Sequence, residues 1–366
     1  MLFNLFKKNP EEKEASSQYL TLQVREVVRE TADAVTVYFD QPEPHLDYLP
    51  GQFLTIILMI NGKEERRSYS LCTSPFVDPF PGITVKRLQG GVVSNYMNDL
   101  VFPGKKITVM RPMGNFTCDY HSKNRRHYGM IVAGSGITPI LGITKSILIN
   151  EPDAKVSLLY GSRNEEQIIF KSALENLGNQ YPGRIHVYHQ LSQPGATWSG
   201  TKGRIGAEEI RKFGSDLLAD TTYQGRFFFC GPQVMMEAAK NALAELGVSK
   251  ESMLTENFYI DSKEKTGSEE EGDQQITQEV TVLVAGQSYT FDVTPDKTIL
   301  EAGLELDIDM PYSCQSGLCT ACRGRLLSGK VTMDEDAGLS ENEIEAGYIL
   351  CCSSKPKSGE IKINIE

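Results

Sequence analysis
The chain has 366 residues, 37 basic and 48 acidic side chains, a net charge of −11 and eight cysteines. That length supports two or three domains, each able to bury its own core. No basic patch interleaved with aromatics is present, which excludes nucleic acid as a partner, and eight cysteines in so long a chain point to metal or redox chemistry rather than a secreted disulfide scaffold.

In chain order, residues 1–15 read as a tail whose apolar run is too short for a signal segment or a membrane span, so the expectation is a cytoplasmic protein. Residues 16–120 show short alternating runs such as YLTLQVREVV and AVTVYFD, punctuated by Pro and Gly, which predicts an antiparallel β-barrel. From 121 to 260 the short apolar runs HYGMIVAG, KVSLLYGS, RIHVYHQ and GRFFFCG alternate with helical segments, which predicts an α/β parallel sheet. Residues 261–278, DSKEKTGSEEEGDQQITQ, lack an apolar pattern and read as a flexible acidic linker. Residues 279–366 then form a small domain with seven basic and fifteen acidic side chains. Solubility accounts for that excess, and so does steering of this end to a basic docking surface.

Within the first domain, RRSYSLCTSP (66–75) turns Arg67 and Tyr69 to one side of a strand. A cation beside an aromatic face suits a phosphorylated, planar cofactor, although taken alone an Arg and a Tyr on a strand are more often a surface and a core residue. GGVVSNYM (90–97) offers two glycines and Ser94 where a helix can start, an anion site for a pyrophosphate, and RPMGNF (111–116) closes the domain. In the second domain the glycine loop Gly134-Ser135-Gly136-Ile137-Thr138-Pro139 follows a strand, with Pro139 in place of the last glycine of a G-x-G-x-x-G pattern. Cys230, Gly231 and Pro232 end another strand, so both features fall at the carboxyl edge where open α/β sheets bind ligands. Ser162 and Arg163 follow the second strand of this module. A cation there suits a 2′-phosphate, so Arg163 favours NADPH, with NADH as the alternative.

The spacing Cys314-x4-Cys319-x2-Cys322 is that of a plant-type [2Fe-2S] site, with Gly317 letting the loop curl. A structural zinc site prefers two short cysteine pairs and fits poorly. Spacing leaves the fourth thiol open between Cys351 and Cys352.

With PYSC ahead of the loop and an acidic stretch after it, residues 279–366 resemble plant-type ferredoxins. The resemblance implies an α+β β-grasp fold and, through Gly347, Pro356 and the count from Cys322, selects Cys352 as the fourth ligand and leaves Cys351 to packing. The remaining motifs resemble the flavin and nicotinamide modules of the ferredoxin-NADP reductase superfamily. That resemblance implies Arg67 on the FAD pyrophosphate, Tyr69 on the isoalloxazine and Ser70 near its N5, with Gly91, Val92, Val93 and Ser94 on phosphate. It implies Gly134, Gly136, Thr138, Pro139, Ser162, Arg163, Gly231 and Pro232 as nicotinamide-nucleotide contacts, Cys230 beside the transferring carbon, and Glu256 and Phe258 near the flavin.

In module order the chain is similar to single-chain reductases that feed oxygenases, including those of steroid and aromatic-ring hydroxylases and of a phenylacetyl-CoA epoxygenase. Benzoate-type reductases, with the ferredoxin first, differ. The resemblance implies a multidomain NAD(P)H-dependent oxidoreductase carrying FAD and a [2Fe-2S] cluster, whose partner is an external oxygenase, hydroxylase or epoxygenase. A desaturase or a separate carrier as acceptor, FMN in place of FAD, and a redox sensor without turnover are the alternatives. No Glu-x-x-His pair and no second cysteine cluster stand in the sequence, so oxygen activation is expected of another protein.

Overall fold
A computed structural model describes residues 18–258, 277–317, 319–334 and 338–365. The expected tail and all but the last two residues of the expected linker lie outside them.

The first sheet is antiparallel and six-stranded: β1 (Tyr19–Thr31), β2 (Ala34–Phe39), β3 (Phe53–Ile60), β4 (Lys63–Ser70), β5 (Gly82–Lys86) and β6 (Lys106–Met110), in the order β4-β3-β6-β1-β2-β5. It curls until Leu71, just past β4, bridges Ile83 of β5, which brings the two edge strands together. Alternate residues such as Leu22, Val24, Val35, Val37, Leu54 and Ile56 fill its interior. Burying side chains of this size stabilises the fold by roughly 1.5–3 kcal/mol each. β3 and β4 are joined by Asn61 and Gly62, both at positive φ (52° and 78°), the two-residue turn whose twist matches that of paired strands. Helix α1 (Val92–Asp99) follows β5, with Gly91 as its N-cap.

The second sheet is parallel throughout: β7 (Arg126–Ala133), β8 (Lys155–Ser162), β9 (Ile185–Leu191), β10 (Thr201–Lys202), β11 (Gln224–Cys230) and β12 (Met253–Glu256), in the order β10-β9-β8-β7-β11-β12. Helices α2 (Ile137–Asn150), α3 (Lys171–Gln180), α4 (Ala207–Leu218) and α5 (Gln233–Glu245) connect its strands. Both faces are covered: Tyr128, Met130 and Val132 of β7 pack into one core, and Ile131 of the same strand packs into another. Chain order reverses between β7 and β11, which is where such sheets open a crevice at their carboxyl edge.

Helix α2 also fixes the two modules together. A Cβ on Gly142 would stand 2.6 Å from the Thr73 carbonyl oxygen, so the helix can lie against that segment because residue 142 has none. Ser146 Oγ donates to Ser74 Oγ at 2.7 Å, and Lys145 pairs with Asp78 at 2.9 Å. The segment that follows the Arg-Ser-Tyr-Ser stretch is therefore held by the helix that follows the glycine loop.

The C-terminal module is a five-stranded mixed sheet in the order β14-β13-β17-β15-β16, made of β13 (Gln278–Val284), β14 (Gln287–Val293), β15 (Arg323–Met333), β16 (Tyr348–Leu350) and β17 (Ser354–Ile365). Helix α6 (Ile299–Glu305) packs on it and starts with a capping box, in which the Thr298 hydroxyl accepts from Glu301 N–H at 3.2 Å and the Glu301 carboxylate accepts from Thr298 N–H at 2.8 Å. The short helix α7 (Glu341–Glu345) repeats the device with Ser340 and Glu343. This is the α+β arrangement expected for the module. No helix among the described residues is long and apolar enough to cross a membrane.

Candidate flavin, nicotinamide and iron–sulfur site
A cavity of about 440 Å³, within the range of small-molecule sites, opens where the three modules meet. β4 supplies Arg67, Ser68, Tyr69 and Ser70. β12 and the residues after it supply Glu256 and Phe258, while the thiol loop supplies Cys314 and Cys319. Ser94 of α1 and Thr138 of α2 complete the sequence-predicted residues that line it. Gly91, Val92, Val93, Gly134, Gly136, Pro139, Ser162, Arg163, Cys230, Gly231, Pro232, Cys322 and Cys352 stand outside its lining. Val93 is buried in the barrel core and Val92 is exposed, so what these two offer a ligand is the free N–H groups of the first turn of α1.

Lys86 at the end of β5, Asn115 of the RPMGNF stretch and Glu343 of α7 also line the cavity, and sequence reasoning passed over all three. Lys86 was legible as a cation ending a strand; the other two meet only through folding.

Ser70 Oγ donates to Glu256 Oε2 at 3.1 Å, joining the barrel to the last strand of the parallel sheet. Burial pushes the Glu256 carboxyl up to about 8, an effect the Ser70 hydrogen bond only partly offsets. Near neutral pH it is largely protonated and able to donate as well as accept. Because the fold raises this pKa from 4.5, the folded state holds a proton that the unfolded chain has lost, and stability should fall as pH rises from about 4.5 to about 8. Thermal midpoints measured across that window should decline less steeply in Glu256→Gln than in the parent; parallel curves would remove the assignment.

At the carboxyl edge of the parallel sheet, Gly134–Gly136 forms a short turn of 3-10 helix between β7 and α2, with Gly134 at φ 57°. A Cβ on Gly136 would lie 2.1 Å from the carbonyl oxygen of Cys230, so the glycine loop and the end of β11 are in backbone contact. Thr138 Oγ donates to the Ser135 carbonyl at 2.6 Å and secures the loop. Cys230 is fully buried, and burial, reinforced by Glu256, raises its thiol well above the usual range. Ser162 is buried at the end of β8, and Arg163 beside it is exposed.

The thiol loop turns backbone N–H groups on to sulphur: Gly317 N–H on Cys352 Sγ at 3.2 Å, and Ser316 and Cys319 N–H on Cys314 Sγ, both at 3.4 Å. Hydrogen bonds from Cys319, Cys352 and Ser316 pull the Cys314 thiol far below its usual range. Thiols whose negative charge is met by N–H dipoles suit an iron–sulfur cluster. Cys351 packs in the same core as Cys322 and Cys352 and is the most deeply buried of the three. No three His, Cys, Asp or Glu side chains among the described residues converge on a single metal ion.

A curled antiparallel sheet, a parallel sheet with a glycine loop at its switch point and a loop of N–H-tipped thiols, all facing one cavity, define a modular flavin and iron–sulfur oxidoreductase. The chain belongs to the family of reductases that combine these three modules. Residues 19–118 match an oxidoreductase FAD-binding domain, 130–241 an oxidoreductase NAD-binding domain and 282–357 a 2Fe-2S iron-sulfur cluster binding domain. It is 33% identical to one component of the 1,2-phenylacetyl-CoA epoxidase of Escherichia coli K12, over 94% of this chain and 97% of that protein. It is 34% identical to the ferredoxin reductase component of Mycobacterium tuberculosis 3-ketosteroid-9-alpha-monooxygenase, over 95% of this chain and 96% of that one. The fold matches that of phthalate dioxygenase reductase with a TM-score of 0.58 at 22% identity, covering 98% of this chain and all of the other.

Proposed function
We propose that this chain takes reducing equivalents from NAD(P)H and delivers single electrons to an external oxygenase component. The observation that supports this most is the cavity shared by Tyr69, Ser70 and Glu256 with Cys314 and Cys319. When bound, FAD and the cluster supply the conversion of a two-electron input into one-electron output, which no side chain here can perform. The chain's residues bind and orient. Arg67 and the first turn of α1 would hold the flavin pyrophosphate and Tyr69 its ring, while Ser70 and Glu256, bonded to each other, keep a proton in the same cavity. Gly134, Gly136, Thr138 and Pro139, with the Cys230-Gly231-Pro232 turn opposite, hold the nicotinamide nucleotide. Cys314, Cys319, Cys322 and Cys352 hold the cluster.

On this reading residues 16–120, 121–260 and 279–366 are the three domains and 261–278 the linker. The exposed Arg163 beyond Ser162 favours NADPH as donor, with NADH as the alternative. Relatives that are components of oxygenase systems support an oxygenase as acceptor, and the fifteen acidic against seven basic residues of 279–366 support a basic docking surface on it.

Anaerobic titration with NADPH and, in parallel, NADH should bleach flavin and then iron–sulfur absorption. If dithionite bleaches both and neither nucleotide bleaches either, the proposal fails. Turnover with the oxygenase component should fall severalfold as salt rises from about 50 to about 500 mM, over which exposed charges become screened. Turnover indifferent to salt would remove the docking claim.

A further inference from the structure
β4 also grips the C-terminal module, through Arg66, which is outside the cavity lining, and through Ser68, which is part of it. Arg66, only 11% exposed, stacks its guanidinium 4.0 Å from the ring centre of Tyr312, two residues ahead of Cys314. Its Nη1 donates to Tyr19 Oη at 3.3 Å, and Tyr19 in turn donates to Asp309 Oδ1 at 2.5 Å. Two residues further along the strand, Ser68 Oγ donates to Ser313 Oγ at 3.0 Å; Ser313 is buried and directly precedes Cys314. On the other side of the cavity Asn115 Nδ2 donates to Glu343 Oε1, which also receives Arg323. The segment leading into the thiol loop is thus tied to the same strand that presents Arg67 and Tyr69.

We infer that Arg66 is a positioning residue for electron transfer, clasping Tyr312 and, through Tyr19, Asp309 so that the cluster-bearing module docks with its thiol loop at the flavin cavity. Three features favour Arg66 over its neighbours. A guanidinium stacked on an aromatic ring and largely withdrawn from water contributes more than an exposed contact. The Tyr312 ring it stacks on belongs to the module that must be placed, while Glu64 at 2.7 Å and Tyr19 at 3.3 Å hold the guanidinium from the barrel side. Arg67, by comparison, bonds to the backbone carbonyl of Arg66 at 2.6 Å, a contact that survives any side chain at 66. Finally, electron tunnelling falls steeply with distance, so a contact two residues from a ligand acts on the rate directly while leaving nucleotide binding alone.

The inference rests on the function proposed above, and the test separates the two. In rapid-mixing reduction of the complete, cofactor-loaded chain, Arg66→Ala should slow cluster bleaching at least tenfold, with flavin bleaching within about twofold of the parent. Tyr312→Phe, which keeps the ring, should behave as the parent. Arg66→Lys, which keeps the charge without the planar stack, should fall between. Small-angle scattering of Arg66→Ala should show a larger maximum dimension than the parent, a readout independent of turnover. Unchanged cluster bleaching in Arg66→Ala overturns the inference, as does equal slowing of both phases, which would mark damage to the barrel. If the parent chain itself shows no flavin-then-cluster sequence, the proposed function fails instead.

Discussion
Replacing Cys352 with serine is expected to abolish the iron–sulfur absorption of the purified chain, whereas Cys351→Ser is expected to keep it. The two thiols are neighbours in one core and differ in what reaches the sulphur. Cys352 Sγ receives the Gly317 N–H at 3.2 Å from inside the thiol loop. Cys351 is fully buried, its N–H bonded to the Cys322 carbonyl at 3.1 Å and its carbonyl to the Leu300 N–H at 3.0 Å. Those backbone bonds persist whatever the side chain, so Cys351→Ser costs only the burial of a hydroxyl, about 1–3 kcal/mol where it finds no partner. At 352 a hard oxygen would replace a soft thiolate ligand. Iron and acid-labile sulfide per chain, with the visible spectrum, decide the matter, and the opposite pattern would invert the ligand assignment.

Gly136→Ala should weaken nicotinamide-nucleotide binding at least tenfold, about 1.4 kcal/mol, without loss of bound flavin. The added methyl would sit 2.1 Å from the Cys230 oxygen and 2.6 Å from its carbonyl carbon, so the glycine loop and the β11 end cannot both keep their places. The displacement should also lower folding stability by about 1–3 kcal/mol. Gly178 in α3 is the control, because nothing lies within 4 Å of a Cβ there. Gly178→Ala should leave binding unchanged and stabilise by roughly 0.5–1 kcal/mol. Nucleotide affinity measured by calorimetry would count against the nicotinamide assignment if the two variants were alike.

Much of this architecture was legible because its signals are local. The thiol spacing, the glycine loop, the Cys-Gly-Pro strand end and the Arg-Ser-Tyr-Ser strand each lie within ten residues, and the change from alternating to helical periodicity near 121 marks the passage from curled to parallel sheet. What sequence could not convey is juxtaposition. Ser70 and Glu256 are 186 positions apart and Ser68 and Ser313 are 245 apart, so nothing in either segment announces the other. The same holds for Gly142, which reads as a mild defect in a helix until Thr73 is found against it. Asn61-Gly62 was a local signal, a tight hairpin, and was open to reading.

That hairpin bears on how such chains can be recombined. Side chains on a strand alternate, so a register slip of one residue between β3 and β4 would exchange Arg67 and Tyr69 with Arg66 and Ser68. The proposed cofactor contacts of Arg67 and Tyr69 and the domain contact of Arg66 would be displaced in a single event, whereas a two-residue change in turn length keeps each side chain on its own face. A chimera that borrows a foreign iron–sulfur module therefore needs more than a compatible linker. It must also bring an aromatic ring and a carboxylate in the places of Tyr312 and Asp309, or carry β4 along with it.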